Sequence, residues 1–463
     1  MKEDKFYIPR NFGLVILVLF LIFNTVYTKL KWVCLIHRTA ARSPGTLRTN
    51  KTDIFNNQWV GEHEITDLGI SQEFLLGSLI RNHYIGKLDF ISDSFRFKEI
   101  TIYSVDTNAT IISAYAQMAG IYPASTGPKL STNELQYSLP DIEIHNAEDT
   151  MVNLGNNVLP QRTQLFPVTL LPPENRFWGL TNPDYCKGVM PLFMDNIKTK
   201  GKALKEKLSH DLYPILNPIM NLPSNFFQKF NNTFHLCESV LMGTLAKKNF
   251  TILKAHNVSL THLFNVCQNY LKDDLYFVKL YDPESMILRM SMSNILNIIA
   301  GDMENVVLAD NYNLDYNNFD TKQFITYAGF TIDLGAFMAF LNIAFETKVY
   351  YPQPSHVLTI ELYREDDAPK IATLEDYTVI INFNQHRLLE IDLATFKDVI
   401  KDLTFEGNKI NDFCGFTYYS DLYYIIAVCI LSVVFLLMGV FLISLLTKKP
   451  HGGTPPEGEV PDK

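Results

Sequence analysis

Val33-Cys-Leu-Ile-His-Arg-Thr-Ala-Ala-Arg-Ser-Pro44 is the stretch of this chain that says most about its fold. Its first residues belong to an apolar run with β-branched side chains, so we predict a core strand over residues 29–36. Arg42-Ser-Pro-Gly-Thr46 then has the composition of a loop. Arg38 and Arg42 therefore lie where a core strand gives way to a loop.

Helical patterns follow this loop. Apolar residues recur at helical intervals over residues 68–84 and 110–118, through much of residues 195–299, and again over 334–345. In the first of these helices, the apolar residues placed to share a face are Leu68, Leu75, Leu76, Leu79 and Ile80.

Strand patterns alternate with these helices. The short runs that predict strands are residues 100–103, 323–328, 357–363 and 378–383. We therefore predict an α/β fold with a mixed or parallel central sheet flanked by helices. Its core would comprise about residues 29–145 and 320–415, with a mainly helical cap at about 190–300.

The N-terminal segment predicts a signal peptide over residues 1–28. The apolar run at residues 12–23 follows a weakly basic start. It is too short to span a bilayer comfortably, which needs about 20 residues. Cleavage is expected near Lys29, and an uncleaved signal anchor is the alternative.

A second apolar run, residues 423–446, is uncharged and long enough to form a transmembrane helix. Lys448 and Lys449 follow it directly, so the positive-inside rule places the tail, residues 447–463, in the cytosol. We predict a single-pass type I membrane protein with a luminal or extracellular ectodomain, residues 29–415. Glycosylation sequons lie on that side, at Asn50, Asn108, Asn231, Asn249 and Asn257.

The net charge and the spacing of cysteines and histidines limit which partners and ligands are expected. The formal net charge is -9 and the main body has no Lys/Arg cluster, which argues against nucleic acid. No Cys/His pair has metal-ligand spacing, so no metal or cofactor is expected.

Cys34 is expected to be a buried free thiol and Cys429 lies in the apolar run. The four other cysteines allow more than one pairing: Cys186, Cys237, Cys267 and Cys414.

Further motifs follow the opening stretch in order. They are Trp59 with Glu64-Ile-Thr-Asp-Leu-Gly69, Tyr103-Ser-Val-Asp-Thr-Asn-Ala-Thr110, Thr326-Tyr-Ala-Gly-Phe-Thr331 and Glu361-Leu-Tyr363. Together, over residues 30–414, they resemble the histidine acid phosphatase family, whose first strand ends in R-H-G-x-R-x-P. The resemblance implies that family's fold and its chemistry: a nucleophilic histidine, three arginines that clamp the phosphoryl group, and an H-D pair that supplies the acid.

This chain replaces most of those groups. The resemblance matches the nucleophilic histidine with Thr39 and the third clamp arginine with Tyr103. It matches the H-D pair with Gly329 and Phe330. Arg38 and Arg42 match the two remaining clamp arginines, and are expected either to keep binding a phosphate or to serve structural pairing.

His37 is the candidate for a relocated nucleophile or base. It lies two residues before Thr39 and could share that strand face, but two residues of strand are about 6.6 Å. The family has an aromatic residue there, which favours a structural role. His63 and His356 are expected to be loop or surface histidines.

The resemblance also assigns the cysteines. It implies a disulfide between Cys186 and Cys414. Cys237 matches a family cysteine whose partner would fall near Ser355 or His356, where this chain has none. Cys267 is the remaining thiol, so we expect Cys237–Cys267 within the cap.

Three functions follow as hypotheses. The leading one is a catalytically degenerate membrane glycoprotein, a pseudophosphatase, whose ectodomain binds a phosphate-bearing ligand or a protein partner. The alternative is an active membrane-bound acid phosphatase with rearranged catalytic residues, and the second alternative is a structural or adhesive surface protein. The resemblance also implies a homodimer. The topology is compatible with the cell surface and with a lysosomal or other endomembrane.

Overall fold

The structure is a computed structural model that divides into two compact units, Met1–Cys414 and Gly415–Lys463. It describes residues 28–45, 59, 61–143, 145–171, 186–222, 225–228, 230–248, 250, 256–280, 284–314, 322–366, 368–405, 407–415 and 419–447. The predicted signal peptide, the sequons at Asn50 and Asn249, and the tail beyond Thr447 lie outside these residues, apart from Thr28.

A mixed sheet forms the centre of the first unit. Its strands are β1 Thr28–Arg38, β2 Ile100–Ser104, β3 Thr169–Leu170, β4 Phe324–Gly329, β5 Val357–Glu365, β6 Tyr377–Phe383 and β7 His386–Asp392. Their order across the sheet is β3-β2-β4-β1-β5-β6-β7. The pairs from β3 to β1 are parallel and those from β1 to β7 are antiparallel. The predicted mixed sheet of an α/β fold is confirmed.

Helices surround this sheet. In the first unit they are α1 Asp67–Arg81, α2 Asn108–Ile121, α3 Thr132–Leu135, α4 Ala147–Leu154, α5 Val189–Asn196, α6 Lys202–Met220, α7 Phe230–Leu245, α8 Leu260–Asp273, α9 Met286–Tyr312, α10 Thr331–Phe345, α11 Leu393–Leu403 and α12 Gly407–Cys414. Wider π-helical turns are formed by Asn82–Lys87, Ile197–Gly201 and Asp274–Lys279.

Strand β1 is buried on both faces, as its apolar run predicts. Trp32, Cys34 and Ile36 point into a core shared with α9 and α10. Val33 and Leu35 point into a second core, on the other face, shared with α1 and α2. Because β1 lies in the middle of the sheet, the residues that follow it emerge at the centre of the sheet's edge.

Helix α1 packs on α2 through glycines rather than through its leucines. Its buried residues are Gly69, Glu73, Gly77 and Ile80. Leu68, Leu75 and Leu79, which the spacing places on a shared face, are exposed. A Cβ on Gly77 would lie 1.9 Å from the Gln117 carbonyl oxygen, which shows how close the two helices are.

The cap has a hydrophobic core of its own, formed mainly by α6, α7 and α8. The Cys237–Cys267 disulfide lies in it and joins α7 to α8. A second disulfide joins Cys186 to Cys414, so both expected pairs are present, and Cys34 is buried and free. Helix α9, whose first half the sequence analysis counted with the cap, packs on the sheet.

The second unit contains the helix α13, Tyr419–Thr447, among its described residues. It covers the run at residues 423–446 that the sequence analysis assigned to a membrane span. Counting only the residues that the structure describes, no helix is both long and apolar enough to cross a membrane.

Candidate functional site

Three parallel strands bring the sequence-predicted residues to one edge of the sheet. β4 lies between β1 and β2, with Arg38 in register with Gly329 and Tyr103 in register with Tyr327. The loop after β1 and the start of α10 therefore leave the sheet side by side. In α/β proteins this carboxyl edge is the usual place for a site.

Thr39 hydrogen-bonds to the backbone of β4 through both its hydroxyl and its amide. Its hydroxyl donates a hydrogen bond to the Gly329 carbonyl oxygen at 2.9 Å, and its amide donates to the same oxygen at 2.8 Å. Only 1% of the residue is exposed. The group at the nucleophile position is thus both hydrogen-bonded and closed off from solvent.

Arg38 is equally enclosed. Its Nη1 donates to the Pro352 carbonyl oxygen at 2.9 Å, and the residue is 2% exposed. Burial lowers the pKa of Arg38 to about 10, so the guanidinium still carries its charge at neutral and acid pH. This arginine holds the segment before β5 to the end of β1.

Arg42 is paired with a carboxylate from the cap. Its Nη2 lies 2.9 Å from Oε1 of Glu238 on α7, and its Nη1 donates to the Ser43 carbonyl oxygen at 2.7 Å. The second oxygen of Glu238 accepts a hydrogen bond from the Gly45 amide at 3.1 Å. An internal carboxylate therefore binds the arginine and the loop amide that an external anion would otherwise use.

The charge of Glu238 is stable in this position. Burial alone would raise the pKa of its carboxyl, but the Arg42 charge and the Gly45 hydrogen bond outweigh burial. The pKa of Glu238 is held below its usual value. The carboxylate is therefore ionised at any pH above the normal range for glutamate.

The remaining family positions are occupied by aromatic packing. Tyr103 stacks on Tyr327, with ring centroids 5.0 Å apart and planes 15° apart. The Phe330 amide donates to Asp333 at 2.6 Å, and the Arg42 guanidinium lies 5.4 Å from the centre of the Phe330 ring. A Cβ at Gly329 would lie 2.9 Å from that same Asp333 carboxylate. A larger side chain at position 329 would therefore collide with the Asp333 carboxylate.

A cavity of about 420 Å³ lies between this edge of the sheet and the cap, within the size range of ligand pockets. Of the residues predicted for the site, Arg42 and Phe330 line it; Thr39, Arg38, Tyr103 and Gly329 do not. Its other residues are Gly45, His63, Thr107, Phe234, His235, Glu238, Met242, Leu271, Leu275, Lys279, Thr331, Ile332 and Tyr351.

Two histidines of this cavity were not predicted for the site. His63 does lie in a loop, with a left-handed backbone at φ 54°, but it is half-buried and lines the cavity. His235 lies on α7, next to Phe234. Burial, together with the Arg42 charge, lowers the pKa of His63, so its ring is mainly neutral at neutral pH.

His37 takes no part in the cavity. It is fully buried within β1, and its Nδ1 lies 3.2 Å from Oε2 of Glu73 on α1. His356 is half-buried next to Phe383, and its Nδ1 accepts a hydrogen bond from the Gln353 amide. Both histidines hold the region behind the loop, away from the cavity.

Sequence reasoning could not find Glu238, His63 or His235 as site residues. The cap residues come from a helix far from β1 in the chain, and nothing in Leu236-Cys-Glu-Ser-Val240 says which way the carboxylate points. Spacing on α7 does carry a weak signal, because Phe234, Glu238 and Met242 are four residues apart and share a face. Among the described residues, no group of three or more His, Cys, Asp or Glu side chains is placed to hold a metal.

Comparison with curated proteins finds acid phosphatases. The chain is 29% identical to lysosomal acid phosphatase of Xenopus laevis over 160 residues, which are 33% of this chain and 36% of that protein. It is 29% identical to prostatic acid phosphatase of Homo sapiens over 212 residues, which are 45% of this chain and 50% of that protein. The chain thus matches half or less of each relative's length. No model of a known protein family matches it.

Solved structures with this fold include phytases. The phytase of Hafnia alvei in complex with myo-inositol hexakis sulphate has a TM-score of 0.53 at 13% identity, over 82% of this chain and 98% of that one. The phytase of Klebsiella sp. ASR1 has a TM-score of 0.51 at 11% identity, over 82% and 97%. At these identities the likeness establishes the fold alone. The chain is thus similar in sequence to lysosomal and prostatic acid phosphatases and similar in fold to phytases.

Proposed function

We propose that this chain is a membrane-anchored, glycosylated relative of the acid phosphatases that does not hydrolyse phosphomonoesters and instead binds a ligand in the cavity beneath its cap. The observation that carries the proposal is the ion pair between Arg42 and Glu238. A bound phosphoryl group would have to displace a carboxylate that is already hydrogen-bonded to the same arginine and to the Gly45 amide.

The catalytic positions support the same proposal. Thr39 has its hydroxyl bonded to a carbonyl oxygen, and Thr39 and Arg38 lie outside the cavity. Phe330 lines the cavity where the family acid would lie, and a phenyl ring cannot protonate a leaving group. In catalytic units of this kind, loss of the nucleophile alone costs about as much as loss of the whole set.

The membrane part of the proposal rests on sequence. Residues 423–446 are free of charge and are followed by Lys448 and Lys449, a pattern typical of a type I anchor. The sequons at Asn108 and Asn257 support a luminal or extracellular ectodomain, because both side chains are exposed, as glycosylation requires. The proposed location is the cell surface or an endomembrane.

An acid phosphatase assay tests the catalytic claim. The full chain in detergent micelles would be incubated with p-nitrophenyl phosphate between about pH 4 and pH 7, an interval that includes histidine titration. We expect no release of p-nitrophenol above that of an Arg42→Ala variant, with prostatic acid phosphatase as the positive control.

Turnover above that of Arg42→Ala would contradict the proposal and favour the active alternative. Two variants would then identify the group responsible. Loss of that activity in His37→Ala would indicate the relocated nucleophile or base on β1, and loss in His63→Ala would place it in the cavity.

A further inference from the structure

The walls of the cavity are apolar. They combine side chains from the cap with others from the sheet's edge and from the start of α10: Phe234, Met242, Leu271, Leu275, Phe330, Ile332. Such a surface favours the hydrocarbon or aromatic part of a small molecule, because burying it removes apolar area from water.

The permanent charges around this wall are already compensated. Arg42 is paired with Glu238 at 2.9 Å, and Lys279 with the buried carboxylate of Asp274 at 3.1 Å. The Lys279 ammonium also lies 4.0 Å from the centre of the Phe234 ring. An ionic ligand would therefore meet no uncompensated charge of opposite sign, and an anion would be repelled by Glu238.

Hydrogen-bonding capacity is nevertheless left open at two points. His63 and His235 line the cavity, and their Nδ1 atoms are enclosed and make no hydrogen bond to any described residue, so Nε2 is the ring nitrogen that a ligand can reach. A ring nitrogen of neutral imidazole can donate or accept, depending on its tautomer. A hydroxyl or carbonyl group in the cavity would therefore hydrogen-bond to Nε2, the ring nitrogen that is not enclosed.

We propose that the cavity binds an uncharged, largely apolar small molecule whose single hydroxyl or carbonyl group hydrogen-bonds to His63 and His235. The proposal rests on the proposed function, since it takes the cavity to have lost its phosphoryl chemistry. Hydrocarbon or aromatic carbons fill the space between Phe330, Ile332 and Leu275. The negative charge of Glu238 disfavours the binding of an anionic ligand.

Three ligands that share a naphthyl group and differ in their head group test this inference. 2-Naphthol, 2-naphthoate and 2-naphthyl phosphate would be titrated calorimetrically at neutral pH into the full chain in lipid nanodiscs, with empty nanodiscs to subtract partitioning. We expect naphthol to bind at least about tenfold more tightly than naphthyl phosphate, because a charged head group would be desolvated beside Glu238. Equal or tighter binding of naphthyl phosphate, or no saturable naphthol binding, would overturn it.

A histidine variant tests the polar contact separately from the apolar one. His235→Leu should lower the affinity for 2-naphthol about fivefold to tenfold, the loss of one hydrogen bond. It should leave 2-methylnaphthalene, which has no hydroxyl, unchanged. His210→Leu is the matched control on α6, where the side chain is 91% exposed. If neither His235→Leu nor His63→Ala alters naphthol affinity, the assignment of the imidazoles is wrong.

The same titration separates this inference from the proposed function. Conversion of 2-naphthyl phosphate to 2-naphthol would contradict the proposed loss of phosphatase activity. If the phosphate ester stays intact and naphthol fails to bind, the proposed loss of activity stands and the assignment of an uncharged ligand falls.

Discussion

At the scale of single residues, Glu238 occupies the donors with which the loop after β1 could bind an anion. Its carboxylate takes one guanidinium nitrogen of Arg42 and the Gly45 amide, two donors suited to a phosphoryl oxygen. Because the pair is almost fully buried, breaking it from one side leaves an uncompensated charge. The pair therefore holds the loop after β1 to the cap.

Replacing this carboxylate should recover anion binding. In Glu238→Gln, Arg42 loses its counter-charge and becomes available to inorganic phosphate. We expect phosphate affinity to rise at least about tenfold, since a hydrogen bond to a charged group contributes about 1.5–3 kcal/mol. Calorimetric titration with inorganic phosphate measures it. Hydrolysis should remain absent, because Thr39 is unchanged.

The control for this variant is Glu206→Gln, an exposed glutamate on α6 whose nearest ammonium, that of Lys202, is 3.9 Å away. It should bind phosphate no better than the native chain. Equal phosphate affinity in all three proteins would mean that Glu238 does not block the loop.

Lowering the pH should not enable phosphate binding in the way that Glu238→Gln does. The pKa of Glu238 is depressed in the folded chain, so the pair contributes stability that is present above the ordinary glutamate pKa. That contribution is lost only as the pH falls through the lower folded pKa. The native chain should therefore remain unable to bind phosphate at the mildly acid pH of an endosome or lysosome.

At the scale of secondary-structure elements, the crossing of α1 and α2 depends on two glycines. A Cβ on Gly77 would lie 1.9 Å from the Gln117 carbonyl oxygen, and one on Gly120 would lie 2.1 Å from that of Phe74. Both neighbours are backbone atoms, which cannot move aside alone. The helices must separate to admit a methyl group.

Gly77→Ala should therefore destabilise the fold, by about 1–3 kcal/mol as for other overpacked cores. Gly301→Ala is the matched control within α9, where a Cβ would have no neighbour within 4 Å. It should stabilise the chain by about 0.5–1 kcal/mol, because alanine is the better helix former. Thermal unfolding midpoints should move in opposite directions, and a midpoint for Gly77→Ala at or above the native one would contradict this packing.

The same elements show how far sequence reasoning extends. Strand β1 and the helices after β2 and β4 were predicted because their patterns are strong and local. β7 was not predicted, since this edge strand has no buried residue and its exposed and half-buried residues do not alternate. α11 was missed although Asp392 caps it in the expected way, accepting a hydrogen bond from the Thr395 amide.

The site was less predictable than the sheet, for a physical reason. Sequence order fixes which residues follow β1 and β4, so Arg42 and Phe330 were found. It does not fix which helix face the cap turns toward them, and this orientation brings Glu238 and His235 to the cavity. Apolar spacing also does not identify the buried face of α1, because glycine contacts rather than leucine side chains set that face.

At the scale of the whole molecule, the sequons bear on the cavity as well as on topology. Asn108 begins α2, next to Thr107 on the cavity wall, and its amide nitrogen donates to Glu64 at 3.2 Å. Its side chain is exposed, so the site is open to the glycosylation machinery. A glycan there would stand beside the cavity entrance and restrict it to small ligands, whereas Asn257 lies on a turn before α8.

A single experiment tests topology and glycosylation together. If residues 423–446 anchor the chain with its tail in the cytosol, peptide N-glycosidase should lower the apparent mass of the protein expressed in cells. Asn108→Gln and Asn257→Gln should each lower it by one glycan, and Asn133→Gln, an exposed asparagine outside any sequon, should not. Protease added to intact microsomes should remove only a C-terminal epitope tag, because the membrane shields the glycosylated part. An epitope that survives in sealed microsomes, or glycan-free Asn108 and Asn257, would place the first unit on the cytosolic side.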